Sequence, residues 1–197
     1  MSNFWNERFA ANEYVYGTEP NVFFKEELKK LPAGKILFPG EGEGRNAVYA
    51  AQLGWDVVAF DSSSEGKAKA DRLAKSRNVC IDYQVTTYDD ADFPDESFDA
   101  LVLIYTHVSA EKRREYHQKF ARFVKPGGCL IVEGFSKEQI NNDTGGPKDS
   151  SMLWSEAELH GDFASFSDVT IQLLETELDE GEFHAGKAAI IRVVASK

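Results

Sequence analysis

Residues 36–47 read ILFPGEGEGRNA, in which an apolar run precedes three glycines on alternate positions: Gly40, Gly42 and Gly44. A helix-like run begins at Arg45, and a second apolar run ends at Asp61, 21 residues after Gly40. This order is typical of a strand, a glycine turn, a helix and a second strand whose terminal acid holds a ribose. We expect the turn to bind an adenine-containing cofactor, because side chains there would keep a nucleoside away from the backbone.

The spacing of the glycines indicates which cofactor the turn holds. A dinucleotide-binding turn has the pattern G-x-G-x-x-G, whose third glycine lets the helix pack closely where its N-terminus faces a pyrophosphate. Here Arg45 occupies that third position, and Glu41 and Glu43 add two negative charges that disfavour a phosphate. A cofactor with a sulfonium and an ammonium suits this turn, so we expect S-adenosylmethionine. The alternative is a glycine turn that binds nothing.

The composition is that of a globular α/β domain with little affinity for polyanions. The chain has 197 residues, of which 42% are hydrophobic and 28% are charged, enough for one such domain. A net charge of −11 disfavours binding to nucleic acid. The basic cluster Lys112, Arg113 and Arg114 is interpreted as a solvated helix face. We therefore expect no nucleic-acid partner.

Targeting and metal signals are weak. The N-terminal residues lack the basic and apolar regions of a signal peptide, and no run of about 18 apolar residues is present. We expect a cytoplasmic protein without a membrane partner.

Cys80 and Cys129 lie in apolar, strand-like contexts, which favours buried inert thiols. Asp89, Asp90 and Asp92 are interpreted as a solvated loop, and we expect no metal.

The hydrophobic pattern predicts alternating strands and helices. Predicted strands cover about 35–39, 56–60, 80–86, 100–105 and 129–132. Predicted helices cover about 3–10, 21–31, 45–53, 63–76 and 110–124, with a turn at 125–128. Such alternation indicates a parallel sheet with helices on both faces. Two further strands, 169–177 and 188–195, have only a short connection, which predicts an antiparallel hairpin.

Several motifs resemble the class I S-adenosylmethionine-dependent methyltransferases, and within them the small tellurite-resistance and thiopurine-methyltransferase-like branch. They are spread over nearly the whole chain: Trp5-Asn6-Glu7-Arg8-Phe9, Tyr16-Gly17-Thr18-Glu19-Pro20, Gly40-Glu41-Gly42-Glu43-Gly44-Arg45-Asn46-Ala47, Ser97-Phe98-Asp99, Lys125-Pro126-Gly127-Gly128, Glu133-Gly134-Phe135, Gly145-Gly146-Pro147-Lys148 and His184-Ala185-Gly186-Lys187-Ala188. The resemblance implies a Rossmann-like, doubly wound, mainly parallel seven-stranded sheet of order 3-2-1-4-5-7-6 with a C-terminal antiparallel β-hairpin. It implies a single domain over 1–197, with 1–31 as a helical lid segment and 136–160 as a substrate-side loop and helix.

The resemblance also implies a set of cofactor-binding residues: Tyr16, Gly17, Gly40, Glu41, Gly42, Gly44, Asp61, Ser62, Thr87, Tyr88 and Ile104. Asp61 is expected to accept hydrogen bonds from both ribose hydroxyls. Two positions depart from the family pattern. Phe38 stands where an acid near the end of strand one is usual, and Thr87 stands where many relatives carry aspartate. Glu41 is the candidate replacement for the first acid.

Methyl transfer from a sulfonium is an in-line displacement, which requires alignment and exclusion of water more than dedicated catalytic groups. The candidate catalytic residues are His184, His107 and Tyr105. His184 is suited to accepting a proton or attracting an anion, and a solvated turn histidine is the alternative reading. We interpret His117 and His160 as surface residues.

We expect a small-molecule acceptor, such as a thiol or a chalcogen oxyanion like tellurite, and a monomer or homodimer. Two other functions stay open. One is a catalytically silent S-adenosylmethionine-binding sensor or partner module. The other is a nicotinamide-linked oxidoreductase, which Arg45 and the terminal hairpin oppose.

Overall fold

The computed structural model describes residues 2–181 and 183–197. The chain divides into two compact units. The first comprises the residues through Asp92 together with Glu180 and Gly181, and the second comprises Phe93–Asp179 and Phe183–Lys197. None of the helices in the described part of the chain combines the length and apolar character that a bilayer crossing requires.

The first unit alternates helices with three strands. Its elements are α1 (Ser2–Phe9), α2 (Val22–Leu28), β1 (Lys35–Pro39), α3 (Arg45–Gln52), β2 (Asp56–Asp61), α4 (Ser64–Ser76) and β3 (Asp82–Val85). The strand order is β3-β2-β1, and both pairs are parallel. β1 and β2 are apolar on both faces and almost entirely buried, as expected for parallel strands covered by helices.

The second unit contains four strands and two α-helices. Its elements are β4 (Phe98–Ile104), α5 (Ala110–Arg122), β5 (Val124–Phe135), two short 3₁₀ helices (Lys137–Asn141 and Ser150–Met152), α6 (Glu156–Asp162), β6 (Ser167–Asp179) and β7 (Ala185–Ser196). The strand order is β4-β5-β7-β6. β4 and β5 are parallel, whereas β7 runs antiparallel to both β5 and β6.

The predicted alternation and the antiparallel terminal hairpin are confirmed, and the predicted strand order holds within each unit. The predicted turn at 125–128 is wrong, because these residues lie inside β5. The register between β4 and β5 shifts here, from Phe98 opposite Val124 to Ala100 opposite Cys129. The backbone N–H of Gly127 also donates to the carbonyl of Lys197 at 2.6 Å, so the glycines form an irregularity within a paired strand.

Four side chains lie in environments that the sequence did not predict. Cys80 is exposed and Cys129 is half-buried, so the expectation of two buried thiols is wrong. Arg113 and His117, expected at the surface, are buried. Both contact the carboxylate of Asp162, at 2.7 Å and 2.9 Å respectively. They are four residues apart in α5 and therefore share the helix face that packs against α6.

Candidate functional site

The glycine turn between β1 and α3 has the left-handed backbone that its sequence predicts. Gly40, Gly42 and Gly44 have φ angles of 65°, 63° and 89°. A Cβ on Gly44 would lie 2.5 Å from the Cβ of Ala70, so this glycine lets α4 approach the turn closely. The hydroxyl of Tyr83 donates to the carbonyl of Gly42 at 2.6 Å and holds the turn from β3.

Asp61, the last residue of β2, lies directly against this turn. One carboxylate oxygen accepts the backbone N–H of Gly42 at 3.1 Å, and the other accepts the N–H of Ser63 at 2.9 Å. Burial raises the pKa of Asp61, while the N–H groups of Ser63 and Gly42 act in the opposite direction. Asp61 and Gly42, which are 19 residues apart in sequence, thus form one local structure.

Glu41 turns its carboxylate toward the start of α3. The same oxygen accepts the N–H of Asn46 at 2.9 Å and the N–H of Ala47 at 2.8 Å. Gly44, the N-cap residue, has no side chain for this purpose, so Glu41 caps the helix from the turn. Burial raises the pKa of Glu41 to about 7, against the opposing effect of these N–H groups.

Glu43 does not add a free charge to the turn. The expectation that its negative charge disfavours a phosphate there is therefore wrong. Its carboxylate forms an ion pair of 2.6 Å with Lys69 on α4. It also accepts the N–H of Val15 at 2.9 Å and the N–H of Tyr16 at 3.3 Å. The glutamate is therefore neutralised and fastens the N-terminal segment to the turn.

Tyr16 and Gly17 lie in this N-terminal segment, which Glu43 binds through the N–H groups of Val15 and Tyr16. Arg45, which begins α3, donates to the carbonyl of Tyr16 at 3.2 Å and pairs with Glu180 at 2.9 Å. Burial raises the pKa of the Tyr16 phenol. Gly17 has a φ of 72°, a conformation in which a side chain is strained.

The residues expected near an adenine follow β2 and β3. Ser62 is half-buried beside Asp61. The hydroxyl of Thr87 donates to a carboxylate oxygen of Asp90 at 2.7 Å, which makes this threonine part of a local turn. The ring of Tyr88 meets the ring of Phe60 edge to face, with centroids 5.9 Å apart.

Phe38 has no polar role. Its side chain is buried, and its ring packs edge to face on Phe24 with centroids 5.5 Å apart. The position where an acid is usual in the family that the chain resembles is thus part of the core.

Ile104 and Tyr105, in the second unit, lie at the end of β4. Ile104 is half-buried, and Tyr105 has a φ of 54°, an uncommon conformation for a residue with a side chain. The Tyr105 hydroxyl donates to Glu133 at 3.1 Å, and Glu133 accepts from Arg192 at 2.6 Å. Such strain persists only where surrounding contacts hold the residue in place.

His107 is engaged with the backbone through both ring nitrogens. Nδ1 lies 2.9 Å from the carbonyl of Met152, and Nε2 accepts the N–H of Phe135 at 2.9 Å. This pattern places the proton on Nδ1. Burial lowers the pKa of His107 to about 3, so the ring is neutral at physiological pH. A role as a base would require one of these bonds to break.

His184 is buried, with an exposed fraction of 7%, so the alternative of a solvated turn histidine is wrong. Its ring meets Tyr105 at a centroid distance of 4.4 Å and Phe135 at 5.3 Å. Two of the three predicted catalytic side chains, Tyr105 and His184, are therefore in direct ring contact.

Two buried charged residues near these sites were not predicted as site residues from the sequence. Lys69 is the partner of Glu43, and Glu133 is the partner of Tyr105. Lys69 lies on the same face of α4 as the buried Gly66 and Leu73. The position of a lysine on the apolar face of a helix could therefore have predicted that it is buried and has an acidic partner.

Residues 36–128 match a protein family described as a methyltransferase domain. A glycine/sarcosine N-methyltransferase of Halorhodospira halochloris is 32% identical over 120 residues, which cover 56% of this chain and 43% of that protein. A probable thiol methyltransferase 2 of Arabidopsis thaliana is 31% identical over 135 residues, which cover 65% of this chain and 57% of that protein. These matches make this part of the chain similar to methyltransferase domains, in agreement with the predicted type of domain.

The fold is also shared with solved structures. One, from work described as "Conversion of a Disulfide Bond into a Thioacetal Group during Echinomycin Biosynthesis", superposes with a TM-score of 0.80 at 16% identity. The similarity covers 100% of this chain and 91% of that chain. The chain spans about half the length of the curated relatives that it matches.

Proposed function

We propose that this protein is an S-adenosylmethionine-dependent methyltransferase that acts on a small-molecule acceptor, with residues 1–197 working as a single domain. The observation that carries the proposal is the contact between Asp61 and the N–H of Gly42. It brings together a side-chain-free turn and a carboxylate, the two features that an adenosyl cofactor needs from a protein of this type.

The chemistry of these donors and acceptors fits the cofactor. The carboxylate of Asp61 has about four lone-pair sites, and the backbone N–H groups of Gly42, Ser63 and Ser62 bond to it. The site that these N–H groups do not use is available to a ribose hydroxyl. The proposed cofactor contacts are those expected from the sequence: Tyr16, Gly17, Gly40, Glu41, Gly42, Gly44, Asp61, Ser62, Thr87, Tyr88 and Ile104.

When bound, S-adenosylmethionine supplies the methyl group on an electrophilic sulfonium. The protein has to align the acceptor and exclude water. We assign Tyr105 to alignment, because Glu133 fixes its hydroxyl and the ring contacts His184. His184 is the proposed group that takes a proton from the acceptor or attracts an anion. His107 supports the end of β5 through Phe135.

The proposed acceptor is a thiol or a chalcogen oxyanion such as tellurite, as in the tellurite-resistance and thiopurine-methyltransferase-like branch. A relative named as a probable thiol methyltransferase supports this choice. The buried histidine proposed as a proton acceptor also suits a thiol, which must lose its proton to become a good nucleophile. We further propose a cytoplasmic monomer or homodimer without a nucleic-acid partner.

The second candidate function is a catalytically silent sensor that binds the cofactor without turnover. The buried Phe38, in place of the usual acid, favours this alternative. It is a different class of protein, and turnover distinguishes it from the enzyme.

Calorimetric titration with S-adenosylmethionine, S-adenosylhomocysteine and NAD tests the proposal. We expect micromolar dissociation constants for the first two and no binding of NAD. Turnover against a panel of thiols, tellurite and small amines then separates enzyme from sensor. Absence of binding of both adenosyl ligands would refute the proposed function, and binding without any turnover would favour the sensor.

A further inference from the structure

Three backbone N–H groups in and just after the glycine turn donate to carboxylates of the chain itself. The N–H of Gly42 donates to Asp61 at 3.1 Å. The N–H groups of Asn46 and Ala47, in the first turn of α3, donate to Glu41 at 2.9 Å and 2.8 Å. These N–H groups belong to the part of a strand–turn–helix unit that receives a pyrophosphate in dinucleotide-binding proteins.

The carboxylate of Glu41 therefore occupies the place at the start of α3 where a bound anion would lie. Its carboxylate satisfies helix N-terminal N–H groups and meets the positive end of the helix dipole. A diphosphate at the same place would lose these donors and would also face the negative charges of Glu41 and Asp61. Glu43 contributes no such repulsion, because Lys69 neutralises it at 2.6 Å.

We propose that Glu41 is a specificity-determining residue that excludes diphosphate-containing cofactors by occupying, with its own carboxylate, the N–H groups at the start of α3. The inference rests on the proposed function in naming the cofactor that the turn accepts. It goes beyond that function in assigning the selection against nucleoside diphosphates and dinucleotides to one side chain.

The test is a calorimetric comparison at pH 8 of wild type, Glu41→Ala and Glu41→Gln, with ADP, NAD and S-adenosylhomocysteine as ligands. Glu41→Ala frees the donors and removes the charge, so we expect an affinity for ADP at least about tenfold higher than that of wild type. Glu41→Gln removes the charge but keeps an oxygen that accepts the two N–H groups. We expect it to show a smaller gain, about threefold, with the fold intact.

The matched control is Glu111→Ala, which removes an exposed acid from the first turn of α5 in the second unit. It should leave ADP binding at the wild-type level. The proposal is overturned if neither Glu41 variant gains affinity for ADP, or if Glu111→Ala gains as much. Circular dichroism confirms folding, and a gain of binding cannot come from an unfolded variant.

The proposed function and the role of Glu41 can be refuted separately. If wild type binds neither S-adenosylmethionine nor S-adenosylhomocysteine, the proposed function is wrong, yet a gain of ADP affinity in Glu41→Ala would still support the exclusion of diphosphates. If wild type binds both adenosyl ligands and no variant gains ADP, only the role of Glu41 is wrong.

Discussion

The carboxylate of Glu43 and the ammonium of Lys69 lie 2.6 Å apart, and both side chains have exposed fractions of only 3%. Lys69 also donates to the carbonyl of Glu13 at 2.6 Å, while Glu43 accepts N–H groups of Val15 and Tyr16. The pair therefore joins the glycine turn, α4 and the segment that precedes α2. Because every charge in this group has close partners, the pair can exist without access to water.

Removal of one member of this pair should cost more than removal of both. Glu43→Gln leaves a buried ammonium without its counter-ion, and we expect a loss of about 3–5 kcal/mol in the free energy of unfolding. The double variant Glu43→Gln/Lys69→Met should recover most of that loss. Urea denaturation of the four proteins of the cycle measures this, and additive losses would contradict the interpretation.

Asp61 should control the affinity for the cofactor. Asp61→Ala removes a carboxylate expected to accept charged hydrogen bonds from ribose, and about 1.5–3 kcal/mol per bond predicts at least a tenfold weaker binding of S-adenosylhomocysteine. Calorimetry measures the change. The matched control is Asp56→Ala, at the exposed start of the same strand, which should bind as wild type does. Equal affinities for the two variants would remove Asp61 from the site.

Glu41 should make stability depend on pH between about 4.5 and 7. Its folded pKa, about 7, lies above the ordinary value of 4.5, so the folded state holds the proton more tightly. The stabilisation is complete below pH 4.5 and is lost as the pH rises through 7. Relative to wild type, Glu41→Gln should gain about 2–3 kcal/mol of unfolding free energy between pH 4.5 and pH 8. Parallel pH profiles for the two proteins would rule this out.

His107 should produce the opposite dependence. Its folded pKa, about 3, lies below the ordinary value of 6.5, so the unfolded state binds the proton more tightly. The stabilisation is present above pH 6.5 and is lost as the pH falls toward 3. From pH 7 to pH 4, wild type should lose about 3 kcal/mol more than His107→Gln, whose neutral amide can contact the same backbone groups. Denaturation at both pH values measures the difference, and an equal loss in both proteins would argue against a neutral ring in the folded state.

Tyr105→Phe should separate turnover from cofactor binding. The substitution removes the hydroxyl that contacts Glu133 at 3.1 Å and keeps the ring against His184. We expect about 1 kcal/mol of destabilisation, a lower kcat and an unchanged affinity for S-adenosylhomocysteine. Steady-state kinetics with an acceptor found in the panel, together with calorimetry, gives both quantities. A changed affinity with an unchanged kcat would place Tyr105 at the cofactor instead.

Local sequence was sufficient to predict the structure wherever one segment determines its own conformation. The glycine spacing around Gly42 requires positive φ angles at a turn, and the turn has them. The apolar runs of β1 and β2 predict buried parallel strands, because a strand with no polar face must be covered on both sides. The short link between β6 and β7 left no room for a crossover, so the hairpin was also predictable.

Only the tertiary structure decided where charged and titratable side chains point. Glu41 and Glu43 look equivalent in the sequence, yet one caps α3 and the other pairs with Lys69, 26 residues away. Likewise, Arg113 and His117 became buried because Asp162 of another helix meets them. The free energy of a buried charge depends on partners distant in the chain, whereas strand and turn propensities act between neighbours.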